Sequence, residues 1–216
     1  MADFWLDFSV NTVEAFAAFT LMLAMFRFSL RGYVFQVVLS SLIIAQTSYL
    51  LRFVFQLDLI TPIFMLTWFV LALWRFLRIH PFYAYIMCIT GYLGYIVIQT
   101  GILILLQTRF DIGDLVSFPA NKYVQLLSIG VTLFVSVVLM RKRIGYSFVP
   151  DRMESKVQMT GHNLMLLIFS IIGGFIVSGI AYIFLELKLP AGGLLALCIL
   201  IVIAIINASY RKEMGT

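Results

Sequence analysis

Seven apolar stretches dominate this chain, at about 9–29, 33–51, 59–77, 82–107, 122–140, 163–186 and 190–209. A helix rises about 1.5 Å per residue, so about 20 apolar residues cross a hydrocarbon layer about 30 Å thick. The runs are too long for barrel strands and lack the strict alternation that a lipid-facing strand needs. The expected fold class is therefore an all-α integral membrane protein, a polytopic bundle of about seven transmembrane helices forming one domain over residues 1–216. Composition agrees with lipid as the solvent. The chain is 62% hydrophobic and 12% charged, with a mean hydropathy of +1.05, whereas a soluble domain carries about 25% charged residues. A chain of 216 residues has no aqueous core large enough to hide so much apolar surface.

The basic residues orient the bundle. With the N-terminus outside, the inner segments hold Arg27, Arg31, Arg75, Arg78, Arg141, Lys142, Arg143, Arg152, Lys156, Arg211 and Lys212, leaving Arg52, Arg109, Lys122 and Lys188 outside. Lysine and arginine near span ends favour the cytoplasmic side, so this division predicts an odd number of spans and a cytoplasmic C-terminus. Asp3, Asp7, Asp58, Asp111, Asp114 and Glu186 fall on the outer side. The first residues contain two acids and no basic n-region, so the first run is expected to be a retained span rather than a cleaved signal peptide. The net charge of +5 is explained by these short loops and by anionic lipid headgroups, which excludes nucleic acid as a partner. The longest inner loop, about 141–162, is expected to anchor at the headgroups or to dock a cytoplasmic partner.

Polar groups inside the apolar runs mark the candidate site. An ionisable side chain in hydrocarbon costs at least about 2.5 kcal/mol and tends to be paired or to face a cavity. Glu14 lies about five residues into the first run, and Arg52 at the outer end of the second is its candidate partner by snorkelling. Gln46 and Thr47, Gln99 and Thr100, and Gln125 all fall in the expected outer half, where together they would form a polar vestibule. Amides of this kind also serve as glue between helices. On the fourth run Tyr85, Cys88, Tyr92, Tyr95 and Gln99 lie within an arc of about 80°, a stripe that lines a pocket or packs on neighbouring helices. Gly91, Gly94 and Gly101 would let another backbone approach. The predicted ligand-facing set is Glu14, Gln46, Arg52, Tyr92, Tyr95 and Gln99. In the sixth run Ser170, Gly174, Ser178 and Ala181 form a small-residue ridge suited to tight helix contact, within the chain or in a homo-oligomer.

Catalytic chemistry is sparse. His80 and His162 stand at the inner ends of runs, and Cys88 lies two turns beyond His80. An intramembrane Cys–His peptidase would need these two side chains in reach of one another, and their offset of about 80° argues against it. Cys88 and Cys198 lack metal-ligand or disulfide spacing and read as small buried apolar groups. There is no Walker motif, HExxH, glycine-rich phosphate loop or CxxC pair. No enzyme activity, metal or cofactor is expected.

Several stretches carry a resemblance. Leu139-Met140-Arg141-Lys142-Arg143-Ile144-Gly145-Tyr146-Ser147-Phe148-Val149-Pro150 closes the fifth run, and Asn163-Leu164-Met165-Leu166-Leu167-Ile168 opens the sixth. With Ser48-Tyr49-Leu50-Leu51-Arg52 and the ending Tyr210-Arg211-Lys212, the chain resembles the membrane-sensor half of accessory-gene-regulator C-type peptide-pheromone receptor histidine kinases of Gram-positive bacteria. The resemblance implies sensing of an extracellular signal, often a peptide, and output to a cytoplasmic kinase. No phosphoacceptor helix or ATP-binding domain follows the last run up to Thr216. The expectation is a non-catalytic sensor in the bacterial cytoplasmic membrane that signals through a kinase or other cytoplasmic protein. The alternative is a substrate-binding membrane subunit of a transporter.

Overall fold

The computed structural model describes residues 2–57, 61–110, 120–147, 149, 164, 168, 171–172, 196, 198–205 and 207. Among these residues all regular structure is helical. Helix α1 spans Ala2–Met25, α2 Val34–Tyr49, α3 Thr61–Arg75, α4 Pro81–Gln107 and α5 Ala120–Lys142. A 3-10 turn (Leu30–Gly32) precedes α2, a π-helical turn (Leu50–Val54) extends it, and a further helical stretch covers 198–205. Four segments are long and apolar enough to cross a membrane: Trp5–Met25, Val34–Val54, Pro81–Gln107 and Asn121–Lys142. Helix α3, at 15 residues, reaches only about 22 Å, shorter than the expected run at 59–77. The expected sixth and seventh runs, the Ser170–Ala181 ridge and most of the 141–162 loop lie largely outside the described residues.

The first helix departs most from expectation, beginning at Ala2 rather than near residue 9. Asp7 has a cationic partner, Lys122, on α5, so a segment expected to lie outside the bundle continues the helix. At the other end the chain turns at Arg27, in the left-handed region at φ 58°. Phe28 N–H donates to the Leu23 carbonyl at 2.9 Å and Arg27 N–H to Ala24 at 3.2 Å, the paired bonds of a Schellman cap. Helix α5 ends the same way, with Arg143 at φ 51° and bonds from Ile144 to Leu139 and from Arg143 to Met140. Helix α4 starts on Pro81, whose missing N–H is harmless at the first helical position. His80 Nδ1 accepts from Phe82 N–H at 3.3 Å there.

Helix directions follow from these contacts. Lys122 meets Asp7 near the N-terminal ends of α5 and α1, and Tyr146 N–H donates to Met25 O at 2.8 Å beyond their C-terminal ends. The two helices are therefore parallel. Helix α4 runs antiparallel to α1, because Tyr95 meets Glu14 while Gly91 meets Met22. One end of the bundle thus gathers Arg27, Arg31, Arg75, Arg78, Arg141, Lys142 and Arg143; the opposite end holds Asp3, Asp7, Arg52, Arg109 and Lys122, a mixed set.

Helix α1 is the hub, packing on α2, α4 and, most extensively, α5. Its Phe19 and Met22 are fully buried. Phe19 meets Phe69 of α3 edge-on at 4.7 Å between ring centroids. On α5 the fully buried Ser128, Thr132 and Ser136 are small enough to let helices approach. Many large apolar side chains are exposed, Phe35 at 75% and Phe134 at 70% among them, as expected of helices that face lipid or a partner. Several hydroxyls within the helices bond to their own backbone, as Thr20 does to Phe16 O, Ser41 to Val37 O and Ser128 to Val124 O, each at 2.8 Å. Such bonds satisfy a hydroxyl that has no water beside it.

A close approach of α4 to α1 centres on Gly91. A Cβ there would lie 2.9 Å from Met22 Cα and closer still to Met22 Cγ, so backbone as well as side chain would have to move. Gly91→Val should lower thermal stability in detergent by about 1–3 kcal/mol, with only partial rescue by Met22→Ala. Gly101→Ala, with open space around it, is the neutral control in the same melt.

Candidate functional site

Asp7, Asn11 and Glu14 are spaced i, i+4 and i+7, which places them on one face of α1. Lys122 and Gln125 are spaced i, i+3 on the facing part of α5. Tyr95 approaches from α4. These six side chains form one network. Tyr95 Oη donates to Glu14 Oε1 at 2.7 Å, and Gln125 Nε2 donates to the other carboxylate oxygen, Glu14 Oε2. Gln125 Nε2 also donates to Asn11 Oδ1 at 3.2 Å, while Gln125 Oε1 accepts from Lys122 Nζ at 3.3 Å. Both amide protons of Gln125 and its carbonyl oxygen are therefore engaged. Lys122 Nζ completes the chain on Asp7 Oδ1 at 2.5 Å, with side chains only 16% and 17% exposed.

The two tiers differ in charge. Asp7 and Lys122 neutralise one another near the end where α1 starts. Glu14 sits deeper and is held by two neutral donors from two different helices. Because α1 starts at Ala2, Glu14 lies about 18 Å along the helix, near its midpoint rather than 7–8 Å inside. A carboxylate in such surroundings is tolerated when its oxygens are hydrogen-bonded. Breaking either bond leaves an uncompensated acceptor between packed helices.

The predicted ligand-facing residues divide. Glu14 and Tyr95 bond directly. Tyr92, one turn before Tyr95, packs its ring 6.2 Å from Phe69 and lies within electrostatic reach of both Glu14 and Arg52. The expected Glu14–Arg52 ion pair is not formed among the described residues: the π-helical turn Leu50–Val54 ends α2 with Arg52 on its exposed side, and Glu14 has already found Tyr95 and Gln125. Gln46 is exposed on α2 and Gln99 half-buried on α4; among the described residues neither side chain bonds into the network. The tyrosine stripe of α4 is packed rather than open, with Cys88 Sγ against Leu66 O at 3.6 Å and Tyr95 against α1. His80 and Cys88 are engaged with different partners, the Phe82 amide and the Leu66 carbonyl. Among the described residues no group of three or more His, Cys, Asp or Glu is placed to hold a metal.

Sequence inspection missed Asn11 as a member and took Asp7 and Lys122 only as charges outside the bundle. The signal was present in the i, i+4, i+7 polar spacing of Asp7, Asn11 and Glu14 within an apolar run. Its continuation onto Lys122 and Gln125 depends on which helix lies opposite.

A double-mutant cycle tests the network. Tyr95→Phe should destabilise the detergent-solubilised protein by about 0.5–2 kcal/mol, and much less in a Glu14→Leu background. Equal losses in the two backgrounds would show that Tyr95 and Glu14 are not coupled.

No protein-family model, no curated protein and no solved structure matches the chain. The likeness to the sensor half of receptor histidine kinases therefore stands on the four quoted stretches.

Proposed function

We propose that the protein is a non-catalytic, multi-pass membrane sensor with seven spans, an outer N-terminus and a cytoplasmic C-terminus. It responds to an extracellular or membrane-borne ligand and signals through a cytoplasmic partner such as a kinase. The observation that carries this reading is the Glu14 latch, one carboxylate joined to α4 through Tyr95 and to α5 through Gln125. A ligand that supplies its own donors to Glu14 displaces these two and frees both helices from α1. Only a ligand that distinguishes two packings shifts their equilibrium, and a donor-bearing ligand does so by binding the unlatched one.

The same helix that closes the latch also reaches the basic end. Gln125 and Tyr146 are separated by about 30 Å, and each binds α1, at Glu14 and at Met25. Release of the first contact biases the second, next to Arg141, Lys142 and Arg143. Those residues belong to the stretch that resembles the receptor family, where the membrane half passes its signal inward.

The midpoint position of Glu14 favours a second reading, a substrate-binding subunit of a transporter, because such sites cluster near the bilayer midplane. Co-purification with an energising ATPase, together with substrate uptake into vesicles, would select that reading.

Hydrogen exchange on the protein reconstituted in lipid tests the sensor mechanism. Glu14→Leu should raise exchange at Ile144–Ser147 as well as around Tyr95 and Gln125. A rise confined to the neighbourhood of residue 14 would remove the coupling on which the proposal depends. Orientation has its own test in intact cells, with Cys88 and Cys198 replaced by alanine. A membrane-impermeant thiol reagent added from outside should label Arg109→Cys and spare Ile144→Cys. The reverse pattern would invert the protein.

A further inference from the structure

Between α2 and α3 lies a groove of about 220 Å³ whose exposed lining is entirely apolar. Its walls are Ile43 and Ile44 on one side and Trp68, Leu71 and Trp74 on the other, with Arg75 at one end. Ser40 also reaches it, but its hydroxyl is spent on the Gln36 carbonyl at 2.7 Å. The groove offers nothing to a polar solute.

We infer that this groove holds an acyl chain of an anionic phospholipid, with the headgroup at Arg75. Three observations select that occupant. Two of its lining residues, Leu71 and Trp74, are 38% and 40% exposed, so a chain enters from the apolar exterior without leaving apolar surroundings. It lies along the C-terminal half of α3 and ends at Arg75, where the basic end of the bundle begins and Arg78 stands three residues beyond. A phosphate there meets positive charge of the kind that recognises anionic headgroups. Finally, Trp74 is 40% exposed beside Arg75; an indole in this position matches the aromatic belt at a membrane–water boundary. The inference rests on the membrane reading above, but not on the Glu14 site.

The three tryptophans, Trp5, Trp68 and Trp74, provide the test. A Trp5→Phe protein reports only from the groove. It is reconstituted in vesicles containing brominated phosphatidylglycerol or brominated phosphatidylcholine, each diluted in unlabelled phosphatidylcholine, and its fluorescence quenching is measured. The expected result is about a fivefold preference for the brominated anionic lipid. The preference is lost in Arg75→Gln and kept in Arg78→Gln, with helix content unchanged in both. Equal quenching by the two lipids, or a preference that survives Arg75→Gln, overturns the assignment while leaving the membrane reading standing. Quenching that disappears as protein density in the vesicle rises assigns the groove to a second copy and overturns it as well. No quenching by either lipid overturns both the assignment and the membrane reading.

Discussion

A carboxylate placed between apolar helices loses its water, and the surrounding structure must return hydrogen bonds to both oxygens. Glu14 meets that demand with a phenol from α4 and an amide from α5. Each donor is itself positioned by a further contact. Tyr95 is nearly fully buried within α4, and the Gln125 amide is oriented by Asn11 and Lys122. The Lys122–Asp7 pair then sets the register of α5 along α1. One half-buried carboxyl group in this way links three helices, which nonspecific apolar contact leaves free to slide.

The rest of the bundle is compatible with a latch because α1 is a rigid centre. Its small residues, Ala15, Ala17 and Ala18, admit close neighbours, while Phe19 and Met22 fill the space toward α3 and α4. Helix α5 is attached to it at two separated points and is otherwise the more exposed of the two. A change at one attachment thus reaches the other through a single helix, a two-point arrangement that serves a sensor and an alternating-access subunit equally well. The two proposed readings differ in the partner each requires, and in the proposed orientation the seven-residue basic end is the described surface that would face it.

That basic end also has a local structural logic. Arg27, Arg78 and Arg143 all adopt the left-handed conformation just beyond a helix, a role more often given to glycine because other residues are strained there. A positive side chain interacts favourably with the exposed carbonyls of a helix C-terminus, offsetting part of the strain. Arginine at these three positions therefore stands where a helix ends and supplies part of the charge gathered at that end of the bundle.

The sequence alone determined that the chain is helical, because long unbroken apolar runs allow no other way of satisfying the backbone. It also placed α4 and α5 to within two residues and singled out Glu14 and Tyr95. It did not determine where α1 begins, since Asp3 and Asp7 read as outer charges ahead of the first apolar run until α5 is seen to carry Lys122 opposite Asp7. Nor did it identify the partner of Glu14: Arg52 was the nearest opposite charge by depth, whereas α5 brings Gln125 into place. Tertiary structure decided these points because helix spacing specifies which residues share a face, but only packing specifies which faces meet.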